Sequence, residues 1–187
     1  MKKMQKHTRI DLPRKQKGAI LVFCLVFLGI LTVMGTSGME TTVLEERMSN
    51  NMRDYSMAFQ SAESALKNAE AWLILQNTLP IVSGDGSTRV WSENSMDPSV
   101  GDGRYWWDHA NIDSAWWATN AEPVAGLARV AAQPSYIIEE YRTVDSGESL
   151  EFGNTRSRTF HRITARGVGI NSNTAVYVQS TFVQSYN

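Results

Sequence analysis

The side chains that could perform chemistry in this chain are few, and they do not form a familiar catalytic pattern. His109 follows Asp108 directly and lies five residues before Ser114, and these are the residue types of a nucleophilic hydrolase. Nearness in sequence does not align a hydroxyl, an imidazole and a carboxylate. His161 and the single cysteine, Cys24, add no plausible zinc set. We therefore expect no catalytic residues and no enzymatic activity.

Aspartates in two loops provide the other candidate chemistry, because carboxylate oxygens are the ligands that Ca²⁺ prefers. Residues 83–88 and 97–103 are rich in Gly and Asp, which favour turns. The Asp-x-Asp-x-Asp-Gly pattern of an EF-hand loop is absent from the sequence. We expect no resident cofactor, and the candidate calcium ligands are Asp85, Asp97 and Asp102.

An uncharged segment near the N-terminus determines the organisation of the rest of the chain. Residues 18–39 carry no charge, and they follow 17 residues with seven Lys or Arg and one Asp. About 20 apolar residues of helix cross a bilayer core of about 30 Å. The basic segment then stays in the cytoplasm. The sequence predicts a single-pass helix in the inner membrane, with its N-terminus cytoplasmic and the residues after Glu40 outside.

The helix is expected to continue as far as residue 76, because the chain has no proline between Pro13 and Pro80. Apolar residues recur there at steps of four and three, which is typical of one helix face. This packing stripe consists of Leu44, Met48, Met52, Tyr55, Phe59, Leu66 and Leu73, together with Ala62 and Ala69. Gly35 and Gly38 each cost a helix about 1 kcal/mol relative to Ala. A bend or a frayed turn is therefore expected between them.

A tryptophan-rich segment stands out in the remaining residues, 77–187. Four of the six tryptophans fall between Trp106 and Trp117. Such aromatics form either a core or an exposed recognition surface. We favour a core, because this part of the chain contains no cysteine and must be stabilised by packing.

Three segments near the C-terminus predict strands. Residues 136–144, 158–165 and 174–183 are rich in β-branched and aromatic side chains, and residues 167–173 favour a hairpin turn. An antiparallel sheet of three or four strands, covering residues 50–76 of the helix, is the simplest layered solution. The expected fold class is α+β.

Several motifs resemble the PilX-type minor pilins of type IV pili. Gly18-Ala-Ile-Leu-Val22 is similar to a prepilin processing site. Leu44-Glu-Glu-Arg-Met48 and Ala58-Phe-Gln-Ser-Ala-Glu-Ser-Ala65 resemble the N-terminal helix of that family, and Tyr136-Ile-Ile-Glu-Glu140 and His161-Arg-Ile-Thr-Ala-Arg-Gly167 resemble its C-terminal strands. The resemblance covers both ends of the chain, and residues 77–133 contribute no recognisable motif.

The resemblance implies a pilin-like fold, in which a long N-terminal helix packs on a small antiparallel head. It also implies cleavage between Gly18 and Ala19 by prepilin peptidase. The expected divisions are a leader at 1–18, a transmembrane helix at 19–39, an amphipathic continuation at 40–76 and a periplasmic or extracellular head at 77–187. The implied role is to prime pilus assembly at the filament tip. The implied partners are other minor pilins, the major pilin and a tip adhesin, and the mature protein ends in the extracellular pilus.

Phe23 departs from the pattern of major pilins, which carry Glu as the fifth residue after the cleaved glycine. That acid is understood to meet the N-terminal amine of the subunit above. A lone carboxylate in hydrocarbon costs at least about 2.5 kcal/mol, so a subunit with nothing above it is better without one. Phe23 therefore fits a tip position, although any signal anchor would also place an apolar residue there.

Alternative functions differ in what the head would do. A tip pseudopilin of a type II secretion system shares the missing acid but is typically larger, and such pseudopilins use calcium. A membrane-tethered module could bind DNA or a surface through its tryptophans, and a tethered periplasmic enzyme would depend on His109. Loss of residues 1–18 leaves 11 basic and 18 acidic side chains, so no specific nucleic acid partner is predicted.

Overall fold

The computed structural model describes residues 18–145 and 157–186. In chain order the elements are helix α1 (Ala19–Ile74), strands β1 (Val82–Ser83) and β2 (Val90–Ser92), a 3-10 turn (Trp106–Asp108), helix α2 (Ser114–Asn120) and strands β3 (Glu122–Pro123), β4 (Ser135–Asp145), β5 (Ser157–Val168) and β6 (Ala175–Tyr186). The described residues divide into two compact units between Met48 and Ser49. Of the expected leader, only Gly18 is described, and residues 1–17 lie outside the described part of the chain.

The first unit consists of the N-terminal part of α1. Helical structure continues through Gly35 and Gly38, so the predicted frayed turn was wrong, and the alternative of a bend stays a prediction. The hydroxyl of Thr36 donates to the carbonyl oxygen of Val33 (3.0 Å), and that of Thr42 donates to the carbonyl oxygen of Gly38 (3.1 Å). Such bonds back to the preceding turn are compatible with a continuous helix. Among the described residues, α1 is the one helix long and apolar enough to cross a membrane.

The second unit contains a mixed six-stranded sheet, which confirms the α+β class. The strand order is β1-β2-β4-β5-β6, and β3 pairs with β4. The three long strands are antiparallel, as the sequence predicts, and residues 169–174 turn β5 into β6. The prediction of a purely antiparallel sheet was wrong for the short strands, because β1 pairs with β2 in parallel and β2 pairs with β4 in parallel. Strands of two or three residues are too short to produce a period-2 pattern.

One face of the sheet packs on the last turns of α1. Ala65, Ala69 and Leu73 of the helix are fully buried against Ile138 and Ile163 of the sheet. The small helix residues allow the helix and sheet backbones to approach closely. A Cβ added at Gly167 would collide with the main chain of α1. The core on this face therefore depends on close contact between the backbones of the helix and the sheet.

The opposite face carries the tryptophan cluster, defined here as Trp91, Trp106, Trp107, Trp116 and Trp117. Trp117 is 1% exposed and its ring stacks on Trp106 with 5.5 Å between centroids. Ile137 of β4 and Tyr177 of β6 lie beneath these rings. The four tryptophans of segment 105–117 are thus buried or half-buried in the core, as predicted, whereas Tyr105 is exposed.

The predicted packing stripe matches the buried face of α1 only in part. Ala62, Ala69 and Leu73 are fully buried, and Leu66 packs at the edge of the core. The stripe residues that remain exposed are Leu44, Met48, Met52, Tyr55 and Phe59. The buried face also includes Ala58, Ser61 and Ala65, because small side chains fit the close spacing between helix and sheet.

Candidate functional site

The expected processing junction lies at the start of α1. Gly18 has a φ of +141°, no other atoms lie within 4 Å of the Cβ position that a side chain would occupy, and the helix begins at Ala19. Positive φ is readily adopted by glycine because it has no Cβ. Both residues are exposed.

Phe23 lies in the second turn of α1 and is 75% exposed. Its neighbours on the helix are also exposed apolar side chains, including Phe27 and Leu31. In water such a surface is unfavourable, and in a bilayer it is satisfied by lipid or by other helices. By length and composition, α1 is therefore able to cross a membrane.

In the second unit, an exposed apolar patch remains on α1 beside the helix to sheet core. Its members are Met52, Tyr55 and Phe59, flanked by Asn51 and Ser56. They surround a shallow depression and do not contribute to the buried core. The spacing of these residues correctly predicted an apolar face of the helix, but the rest of the second unit does not cover that face.

Asp54 attaches the helix to the turn between β5 and β6. Its Oδ1 accepts hydrogen bonds from the backbone amides of Ile170 and Asn171, the latter at 3.0 Å. Hydrogen bonding by Thr174 and then by these amides lowers the pKa of the Asp54 carboxyl. The sequence gives no sign of this contact, because Ile170 and Asn171 follow Asp54 by 116 and 117 residues in the chain.

Ser61 and two glycines form the second part of this attachment. The hydroxyl of Ser61 is shared between the carbonyl oxygens of Ala58 (2.8 Å) and Val168 (3.3 Å). Side chains at Gly167 or Gly169 would collide with α1, the latter at Asp54. The sequence indicates Gly167 as the start of a turn, but no pattern in it predicts that this glycine packs against α1.

Two of the three calcium candidates approach one another. Asp97 Oδ1 and Asp102 Oδ2 each lie 3.6 Å from Nε2 of His109. Each aspartate also accepts a backbone hydrogen bond in its own loop, from Ser99 and Arg104 respectively. Asp85 instead accepts from Ser87, and hydrogen bonds from that residue lower the pKa of its carboxyl. Within residues 18–145 and 157–186, no metal-binding group of three or more ligands is present. Calcium binding stays a prediction.

The residues that resemble a catalytic trio are used for other contacts. The hydroxyl of Ser114 accepts a hydrogen bond from Nη2 of Arg166 at 3.0 Å. His109 faces Asp97 and Asp102. The arrangement therefore does not present Ser114 as a nucleophile activated by His109.

Two buried polar sites stabilise the sheet. Glu139 is completely buried and receives two hydrogen bonds from Arg162, at 2.8 and 2.9 Å, which raise the pKa of the Arg162 guanidinium. His161 is also completely buried, and its Nε2 lies 3.1 Å from the hydroxyl of Tyr186. Burial lowers the pKa of His161 to about 4, so this imidazole is neutral at pH 7.

Comparisons with known proteins identify the family of both units. A family model described as the PilX N-terminal domain matches residues 17–67. A second model, described as the C-terminal part of the type IV pilus assembly protein PilX, matches residues 82–184, which is more than half of the chain. The second match includes much of the middle of the chain, where no motif was recognised. No curated protein and no solved structure matches the chain.

Proposed function

This chain belongs to the PilX family of type IV pilus assembly proteins, and we propose that it is a minor pilin that primes assembly of the filament together with other minor pilins. The observation that carries the proposal is the pair of family matches, which covers the membrane-capable helix and the head. Membership of this family favours a structural role over a catalytic one.

Processing is the first step of the proposed function. Prepilin peptidase would cleave between Gly18 and Ala19, removing the basic leader and leaving α1 as the N-terminus of the mature chain. The exposed glycine and the helix start immediately after it support this step. Before assembly, the apolar first unit would hold the protein in the inner membrane, with the head outside.

Assembly then needs surfaces that the head leaves uncovered. The exposed patch of Met52, Tyr55 and Phe59 lies on the same helix as the membrane-capable segment. In the proposed filament, helices of other minor pilins and the major pilin would cover these side chains. Burial of apolar area at about 25 cal/mol per Å² would favour that association.

Phe23 supports a position at the tip. In a subunit with another pilin above it, a glutamate at this position would meet an N-terminal amine. In the uppermost subunit it would be a carboxylate in hydrocarbon with no partner, at a cost of at least about 2.5 kcal/mol. Phenylalanine avoids that cost, so the chain is suited to a subunit that starts the filament.

The test of function is the number of surface pili in a host strain that lacks this chain. We expect few pili in the deletion strain and recovery when the wild-type chain is restored. Normal piliation after deletion, combined with loss of protein secretion, would overturn the pilus assignment in favour of a secretion pseudopilin.

The test of tip position is Phe23→Glu in the restored strain. We expect no increase in piliation over the wild-type chain. Phe27→Glu is the matched control, because it places the same acid one turn further along the exposed helix. A large gain in pili with Phe23→Glu, absent from the control, would contradict the tip position.

A further inference from the structure

Arg166 is a buried cation without an acidic partner. Its side chain lies near the C-terminal end of β5, and the residue is 8% exposed. Nη2 donates to Oγ of Ser114 at 3.0 Å, and Nε has no hydrogen-bond partner. Among the described residues, no carboxylate forms an ion pair with it. A buried charge left in this state is unfavourable.

Arg162 provides a direct comparison on the same strand. It lies four residues earlier, and its guanidinium is held by both oxygens of the buried Glu139. The register neighbours of Arg166 are Ser135 on β4 and Tyr177 on β6, and neither is an aspartate or a glutamate. The first guanidinium therefore has its counter-charge within the fold, and the second does not.

The unpaired guanidinium lines a cavity. The cavity has a volume of about 330 Å³ and is bounded by α2, the start of β4 and the end of β5. Ser114, Ser135 and Ser172 are among the residues of its wall, and Ala118, Ala121 and Pro123 contribute apolar surface. This volume is at the lower end of the range for small-molecule sites, and a few polar groups in an apolar wall are typical of them.

We propose that this cavity binds a small organic carboxylate, with the charged group on Arg166 and a short apolar body against Ala118 and Pro123. A guanidinium binds carboxylates through two parallel hydrogen bonds, and such charge-assisted bonds are stronger than neutral ones. The serine hydroxyls can donate to the same oxygens. The ligand would supply the counter-charge that Glu139 supplies to Arg162.

The experiment is titration of the full chain in an uncharged detergent, followed by calorimetry and tryptophan fluorescence. The probes are propionate, N-acetyl-L-alanine and inorganic phosphate. The amide of N-acetyl-L-alanine is the neutral control. We expect saturable binding of a carboxylate probe and binding of the amide weaker by about tenfold or more, because a hydrogen bond to a charged group contributes about 1.5 to 3 kcal/mol.

Comparison of the two carboxylates distinguishes the source of the ligand. Tighter binding of N-acetyl-L-alanine indicates the C-terminal end of a polypeptide, and tighter binding of propionate indicates a free acid. Either result supports the proposal. Equal binding of the acid and the amide, saturation by phosphate alone, or no saturable binding would overturn it.

Variants place the binding on Arg166. Arg166→Gln should weaken carboxylate binding by about tenfold or more. Arg104→Gln, which removes an exposed arginine outside the cavity, should leave binding unchanged. If Arg166→Gln does not fold, Arg166→Lys keeps the charge but loses the planar fork, and should bind more weakly than the wild type. Unchanged binding in a folded Arg166 variant would contradict the proposal.

Discussion

The two faces of the sheet obtain their stability in opposite ways. On the face that packs on α1, alanines and glycines let the helix backbone lie close to the sheet. On the other face, tryptophans fill the space beneath a long loop and a short helix. The first face has no room for a side chain at Gly167 or Gly169, and the second depends on the volume of its side chains. The same strands thus support two cores, one of which is sensitive to added side-chain volume and the other to removed volume.

The largest effect is expected from removing volume on the tryptophan face. Trp117→Ala should lower the free energy of unfolding by about 4 kcal/mol, because it opens a large cavity at a fully buried position. Denaturant unfolding of the full chain in detergent measures the change. Trp116→Ala is the matched control, since Trp116 is only partly buried and should cost less. Equal losses in both variants would show that the cluster is not packed around Trp117.

Breaking the buried ion pair tests the polar part of that face. Arg162→Met should lower the free energy of unfolding by about 3 kcal/mol, because it leaves the fully buried Glu139 without a partner. Replacing both residues, Glu139→Leu with Arg162→Met, should recover much of the loss. The free energies of unfolding of the wild type, both single variants and the double variant form a cycle. A double variant as unstable as the sum of the single variants would contradict the pairing.

Adding volume tests the helix face. Gly167→Ala should lower the free energy of unfolding by about 2 to 3 kcal/mol. The new methyl group would meet backbone atoms of Ala58 and Ala62, and backbone atoms cannot rotate away as a side chain can. The unfolding midpoint of the full chain measures it. Gly84→Ala is the control, since its added Cβ makes only an ordinary contact with Ser92. A tolerated Gly167→Ala would mean that the helix and sheet are less closely packed than the structure describes.

The buried histidine on the helix face predicts a pH dependence. Burial holds the pKa of His161 at about 4, below its ordinary value of 6.5. Between these values the unfolded chain binds the proton more readily, so stability should be full above pH 6.5 and decrease as pH falls toward 4. At pH 5 the loss should be about 2 kcal/mol relative to pH 7.

His161→Gln removes this titration while Tyr186 and the cross-strand neighbour Glu140 remain. The difference in unfolding free energy between wild type and variant should therefore change between pH 7 and pH 5. A difference that stays constant would mean that His161 takes up its proton equally well in the folded chain.

The sequence predicted the elements better than their contacts. Long elements such as α1 and β5 repeat a pattern often enough to be recognised, and the tryptophans indicated a core by their size alone. The stripe through Met52 and Phe59 was a real apolar face, but periodicity does not identify what covers it. The contacts at Asp54 and Gly167 could not be predicted, because they join residues far apart in the chain. The cavity at Arg166 was missed for the same reason.

The central claim is that this PilX-family chain is processed and used as a pilin, and intact mass with N-terminal sequencing tests it most directly. The protein is extracted from membranes of cells with and without prepilin peptidase. We predict a mature chain beginning at Ala19 when the peptidase is present, and a longer chain when it is absent. A chain that retains residues 1–18 in the presence of active peptidase would contradict the account.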